Sequence, residues 1–300
     1  MACCGQAGFS EISATLVGND RQPSSGPRVA GWVVAGAGRA IDLENMQILR
    51  WLSLGLASGI AGAINSVAGG GTLVSFPAAM AMGLPPVVAN ATNTVALVPG
   101  TLASAFAYRR ELLADKRHLV PLLFPSLVGG LLGAALVLVA PEKVFEAIVP
   151  WLVFGATLLI LLKHRISKHL GAKGPPSRTR VVAAGIGIFL MGVYGGYFGA
   201  GIGIITLAVL SLMMPLDIHT MNARKSVLAS VVNGAAAGLF IIRGTANLPM
   251  AAVMALGSIG GGYFGARLAR RVPVALVSGS VVAIGLLLTG ILLFRGVGIH

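Results

Sequence analysis

Two glycine-rich turns and two short polar clusters are the places in this chain whose residue types and spacing suit chemistry. Ala68-Gly69-Gly70-Gly71-Thr72 stands directly before a helical segment, and Gly199-Ala200-Gly201-Ile202-Gly203 stands in the same relation to a later one. A glycine turn that feeds a helix start leaves N–H groups without intrahelical partners, backed by the positive end of the helix dipole. Such a turn can hold an anion or another polar ligand, or it can serve packing alone. Gly69, Gly70, Gly71, Gly201 and Gly203 are therefore candidate ligand-binding positions.

The polar clusters are Asn90-Ala91-Thr92-Asn93-Thr94 and Asn222-Ala223-Arg224-Lys225-Ser226, each at the head of an apolar segment. Asn, Ser and Thr there can cap a helix; Asn90, Thr92, Asn93 and Asn222 can equally orient a ligand. Lys225 and Arg224 differ in kind. A cation at membrane depth is costly and is kept for function or paired. The acid nearest in sequence is Asp217, so an ion pair, snorkelling to the interface and capture of an anionic substrate stand as alternatives. Lys225 is the stronger candidate for the last. Asn65, just before the first glycine turn, can donate to a ligand or cap the turn.

Other chemistries find little support. Cys3 and Cys4 sit at the extreme N-terminus, which leaves no cysteine framework or cysteine metal site. The five histidines fall in loops or at the terminus, without HExxH-like spacing or a nucleophile–base pair. No cofactor is expected: Val34–Gly38 (VAGAG) lacks the last glycine of a dinucleotide fingerprint. Apart from Asp217, no carboxylate lies well inside an apolar run, so no proton relay is visible.

The elements that must position these residues are apolar. The chain is 56% hydrophobic and 10% charged, against about 25% charged in an average soluble domain. Runs such as Leu119–Ala140 and Val274–Phe294 reach the ~20 residues a membrane span needs. The reading is an all-α polytopic membrane protein, embedded in a lipid bilayer. The net charge of +13 does not indicate nucleic acid. Basic residues cluster between the apolar runs, as in loops facing anionic lipid, with no aromatic interleaving for base stacking.

A register organises these runs. Gly69 and Gly71 recur as Gly201 and Gly203 (201 − 69 = 132), Asn90-Ala91 as Asn222-Ala223, and Gly129-Gly130 as Gly261-Gly262. The repetition implies two tandem homologous halves with a 132-residue offset and 8–10 helical segments. Each half carries one short segment, about 72–84 and 203–216, too short to cross and so broken or re-entrant. Matching interruptions in two halves mark a transporter binding site near the midplane. The expected domains are a disordered or dispensable leader (1–45), a first transmembrane repeat (47–162), a basic cytoplasmic linker (163–180) and a second repeat (181–295). Basic-residue bias does not separate parallel from inverted repeats, but it places the linker in the cytoplasm in both. Glycines four apart (55/59, 129/133, 192/196, 257/261, 261/265) suit close helix packing in lipid.

The run GIAGAINSVAGGGTLVSFPAAMAMGLPPVVANATNTVALVPGTLASAFAYRREL closely resembles the first half of the sulfite exporter TauE/SafE family, and MNARKSVLASVVNGAAAGLFIIRG resembles its second-half signature. The resemblance covers roughly residues 50–295. It implies an inner-membrane permease for sulfite, sulfonates or related small anions, with the AGGGT turn, Asn90–Thr94 and Asn222–Ser226 facing the path. The expected function is a secondary transporter working by alternating access where the two repeats meet, with a small anion and the lipid bilayer as partners. A homo-oligomer is compatible with this. A passive anion channel and a permease for another organic acid or sulfur compound are the alternatives; an embedded enzyme is disfavoured.

Overall fold

Apolar runs with few backbone donors to spare must satisfy their peptide groups internally, and here they do so as helices. The computed structural model describes residues 29–114, 116–170, 178–211, 218–269 and 274–297, with side-chain surroundings for 45–113, 119–162, 178–211, 218–269 and 277–294. Among the described residues every regular element is an α-helix. The chain divides into two units, Met1–Met46 and Gln47–His300, and the second holds both glycine turns and both polar clusters. The leader expected over 1–45 lies largely outside the described residues, as do Asp217 and residues 171–177 of the linker.

The first half begins with α1 (Val29–Val67), followed by the short α2 (Thr72–Ala81), α3 (Pro86–Ala107), a six-residue α4 (Arg109–Ala114), α5 (Lys116–Val139) and α6 (Glu142–Leu170). The second comprises α7 (Arg178–Tyr197), the short α8 (Ile202–Ser211), α9 (Ile218–Ile242), α10 (Leu248–Leu268) and α11 (Val274–Val297). Every expected segment has its helix, and α4 is an addition. α6 also continues through Lys163–Leu170, the start of the expected linker. Lys, Arg, His and Leu all tolerate a helix, so its end is not set by the end of the apolar run.

Among the described residues, seven helices are long and apolar enough to cross a membrane: the Asn45–Val67 part of α1, then α5, α6, α7, α9, α10 and α11. Large apolar side chains such as Leu56, Phe124, Leu256 and Phe294 are mostly exposed. In water that would be an aggregating surface; in a bilayer it is the lipid face. The protein is a multi-pass membrane protein.

α2 and α8 are ten residues each, about 15 Å long at 1.5 Å per residue, half a hydrocarbon core. Positive φ at Gly69 (72°) and Gly70 (111°) breaks the chain before α2, and at Gly199 (76°) and Gly201 (73°) before α8. Side-chain-bearing residues avoid this region, so these glycines fix where each helix stops. Phe76 of α2, Phe198 and Phe145 of α6 then form an edge-on cluster, with Phe76–Phe198 centroids 5.3 Å apart.

The glycine pairs settle on two seams. On one, Gly129, Gly130 and Gly133 of α5 lie against Phe189, Gly192, Val193 and Gly196 of α7. On the other, Gly257, Gly261 and Gly265 of α10 lie against Gly55, Gly59 and Ala63 of α1. A Cβ added at Gly62 would come 2.6 Å from the Ser258 carbonyl, closer than any side chain tolerates. With the halves drawn by the sequence register, the third long helix of each half packs on the first helix of the other. Serines add hydrogen bonds across this exchange: Ser58 Oγ donates to Met254 O (2.7 Å), Ser66 Oγ to Gly262 O (2.9 Å) and Ser258 Oγ to Ala96 O (2.6 Å).

Candidate functional site

The two glycine breaks meet. A Cβ at Gly69 would lie 2.8 Å from Gly203 Cα and one at Gly203 would lie 3.1 Å from Lys225 Cδ, so backbone passes backbone with the lysine stem alongside. Around this contact lies a small polar cavity. Its wall is built by the end of α1 (Asn65, Ser66), by Gly69 and Thr72, and by the inner face of α3 (Leu97, Gly100, Thr101, Ser104). Gly199, Ile202 and Gly203 close it from the second break, and Lys225, Ser226, Ala229 and Asn233 from α9. Both halves contribute. The space open to the centre of a water molecule is about 20 Å³, enough for about one water.

Lys225 is 2% exposed. Its Nζ donates to Asn222 Oδ1 at 2.9 Å and to Ser66 O at 3.1 Å. Ser66 is the next-to-last residue of α1, where helix carbonyls lack intrahelical donors and the dipole presents its negative end. Both of these bonds go to neutral oxygens. Across the cavity, Ser104 Oγ and Ser226 Oγ are 3.0 Å apart, joining α3 to α9.

Asn65 has a different role from a bare ligand donor. Its Oδ1 accepts from the N–H groups of Gly70 (3.1 Å) and Gly71 (2.7 Å), while the Gly69 N–H donates to Ile64 O (3.0 Å). The three donors expected to face a ligand are engaged within the chain, because the turn is tight enough for a side chain five residues back to cap it. What the turn offers the cavity is the surface of Gly69 and the Asn65 side chain.

Four of the sequence candidates are brought together on the cavity wall: Asn65, Gly69, Gly203 and Lys225. Asn222 stands behind them as the acceptor for Lys225. Gly70 packs near Ile160 and Val281, Gly71 against Ala61, and Gly201 near Ala156; these three shape the breaks and do not line the cavity. Thr92 is fully buried, and its Oγ1 accepts from the Asn247 N–H (2.9 Å) at the start of α10. Asn90 and Asn93, both buried, lie on α3 outside the cavity lining; Asn90 Nδ2 donates to Tyr197 O (3.0 Å).

Thr101, Ser104 and Asn233 line the cavity without having been candidates from sequence, and Ser226 joins them from the second polar cluster. The signal for them is a stripe of small and polar residues three to four apart along apolar helices, Asn93-Leu97-Thr101-Ser104 on α3 and Asn222-Ser226-Ala229-Asn233 on α9. That spacing puts each set on one helix face.

Known proteins share this chain's pattern over most of its length. A probable membrane transporter protein of Haemophilus influenzae is 26% identical over 231 residues, 77% of this chain and 89% of that protein. The probable membrane transporter protein ORF9 of a Sinorhizobium species is 29% identical over 215 residues, 71% of this chain and 81% of its own. The probable membrane transporter protein YfcA of Escherichia coli K12 is 28% identical over 242 residues, 80% and 88% of the two chains. The family model described as sulfite exporter TauE/SafE matches residues 54–293, a stretch that holds both glycine breaks, the whole cavity wall and both seams. This membrane protein belongs to the sulfite exporter TauE/SafE family of transporters.

Proposed function

We propose that the protein is a secondary transporter for a small anion, sulfite or an organosulfonate, that binds between the two halves and is carried by alternating access. The observation that carries this reading is the buried Lys225 ammonium, bonded to Asn222 Oδ1 and Ser66 O on the wall of a cavity to which both halves contribute. An anion there gains a buried ammonium and the Thr72 hydroxyl, and the hydroxyls of Thr101 and Ser226, which in this state donate to Val98 O and Asn222 O, can turn to oxyanion oxygens. The room in the cavity in this state is about that of one water, too small for such an anion. That favours a carrier in a closed state over a standing anion pore.

In this mechanism the halves separate slightly at the Gly69–Gly203 contact to admit the anion. Lys225 then balances its charge, and rocking about the two glycine seams exposes it to the other side. The test is counterflow of labelled sulfite into proteoliposomes of the full chain, competed by sulfate, thiosulfate, taurine and sulfoacetate. Saturable, trans-stimulated uptake is expected, with the competition order naming the cargo. Linear flux without trans-stimulation would replace the carrier with a channel. Absence of flux from folded protein would remove sulfite as substrate.

A further inference from the structure

Among the described residues, two buried oxygens on α3 have no hydrogen-bond donor: Asn90 Oδ1 and Asn93 Oδ1. Asn90 is 0% exposed and Asn93 1%, and three residues apart they share a helix face. The orientation of the Asn90 amide is fixed chemically. Its NH2 donates to Tyr197 O at 3.0 Å, and turning the amide over would set oxygen against oxygen. Acceptors buried without a donor are rare and call for an occupant.

The second half indicates what kind. Adding the 132-residue offset takes Asn90 to Asn222 and Asn93 to Lys225. There the Lys225 ammonium lies 2.9 Å from Asn222 Oδ1, so the asparagine oxygen has a fixed positive charge as its partner. In the first half the lysine position is Asn93, which supplies a second oxygen in place of the charge. A neutral oxygen pair that replaces an oxygen–ammonium pair suits a mobile cation.

We infer that Asn90 and Asn93 form a binding site for a small monovalent metal cation of the Na⁺ type. Amide oxygens are hard ligands of the class that binds such ions, and carbonyl oxygens at helix interruptions hold Na⁺ in membrane carriers. A divalent ion fits less well, because neutral oxygens do not offset two charges at this depth. Through Tyr197 O the site reaches the second glycine break, whose Gly199 and Gly203 line the cavity. A cation that shifts the Asn90 amide therefore acts on the cavity wall. The site does not depend on the anion reading; only that coupling does.

The experiment is equilibrium binding of ²²Na⁺ to the purified full chain without any anionic substrate, with Li⁺ and K⁺ as competitors and choline as the balancing cation. Saturable binding is expected in the wild type. Asn93→Ala weakens it about tenfold or more, as loss of a hydrogen-bonding partner to a charge does. Asn93→Asp restores or tightens it. Asn93→Lys, which copies the second half, gives a folded protein that binds no ²²Na⁺. Absence of saturable binding to folded wild type, or equal binding by wild type and Asn93→Lys, overturns the site and leaves water as the partner of these oxygens. Because binding is read without transport, a failure here stands apart from failure of sulfite counterflow.

Discussion

A lysine with 2% of its surface exposed, in a helix that crosses a membrane, is the most informative side chain in this protein. Its ammonium donates to a carbonyl at the end of α1 and to an asparagine oxygen one turn back on α9. Lys225→Met keeps much of the volume but removes the charge, and it should lower sulfite counterflow by at least tenfold while the protein still elutes as a folded species. Normal flux in that variant would remove Lys225 from the mechanism. Asn65→Asp makes a finer test. Its carboxylate still caps the Gly70 and Gly71 N–H groups, but brings a negative charge to the wall that also holds Lys225. Thermal stability near wild type with strongly reduced anion uptake is expected; Asn65→Ala, which strips the cap, should instead cost about 1–2 kcal/mol of stability.

At the scale of elements, the short helices and the glycine seams are one design. Ten-residue helices cannot cross, so their starts must lie inside the protein, and glycine is the residue that readily takes the positive φ of the breaks before them. Gly69→Ala meets two penalties at once, a φ of 72° and a Cβ placed 2.8 Å from Gly203 Cα. The first alone costs about 1–2 kcal/mol, so a clear fall in melting temperature in detergent should accompany lost transport. On the seams, Gly261→Leu and Gly133→Leu each force apart helices whose backbones touch. Both should give poorly folded protein, whereas Gly290→Leu on α11, with nothing within 4 Å of its Cβ position, should behave like wild type. Equal behaviour of all three by size-exclusion profile would contradict the seam assignment.

At the scale of the whole molecule, helices are exchanged between the two sequence halves. α5 packs on α7 and α10 on α1, so each glycine seam joins helices of different halves. α3 and α9, which carry the cavity wall, face each other across Ser104 and Ser226 at 3.0 Å. Ser104→Cys with Ser226→Cys, in a chain whose Cys3 and Cys4 are replaced by serine, should form a disulfide under mild oxidation. If the carrier works by separating these helices, the cross-link abolishes counterflow and a reducing agent restores it. Undiminished transport in the fully oxidised protein would exclude motion at that contact.

The amino-acid sequence by itself determined the class of this protein and the outline of its elements. Long apolar runs have one economical solution in a bilayer, so helices at 119–140 or 248–268 follow from composition and length, and glycine clusters announce where helices cannot continue. It also marked Asn65, Gly69, Gly203 and Lys225, because glycine breaks and a cation in an apolar run are costly features visible one residue at a time. Only the tertiary structure decided which surfaces those features face. Whether the Gly70 and Gly71 N–H groups are open or capped depends on one rotamer of Asn65. The partners of each glycine seam, and the meeting of Thr101 and Ser104 with Ser226 and Asn233, depend on contacts between residues far apart in the chain. Hydropathy and spacing are properties of one helix at a time; a binding site is a property of several helices packed together.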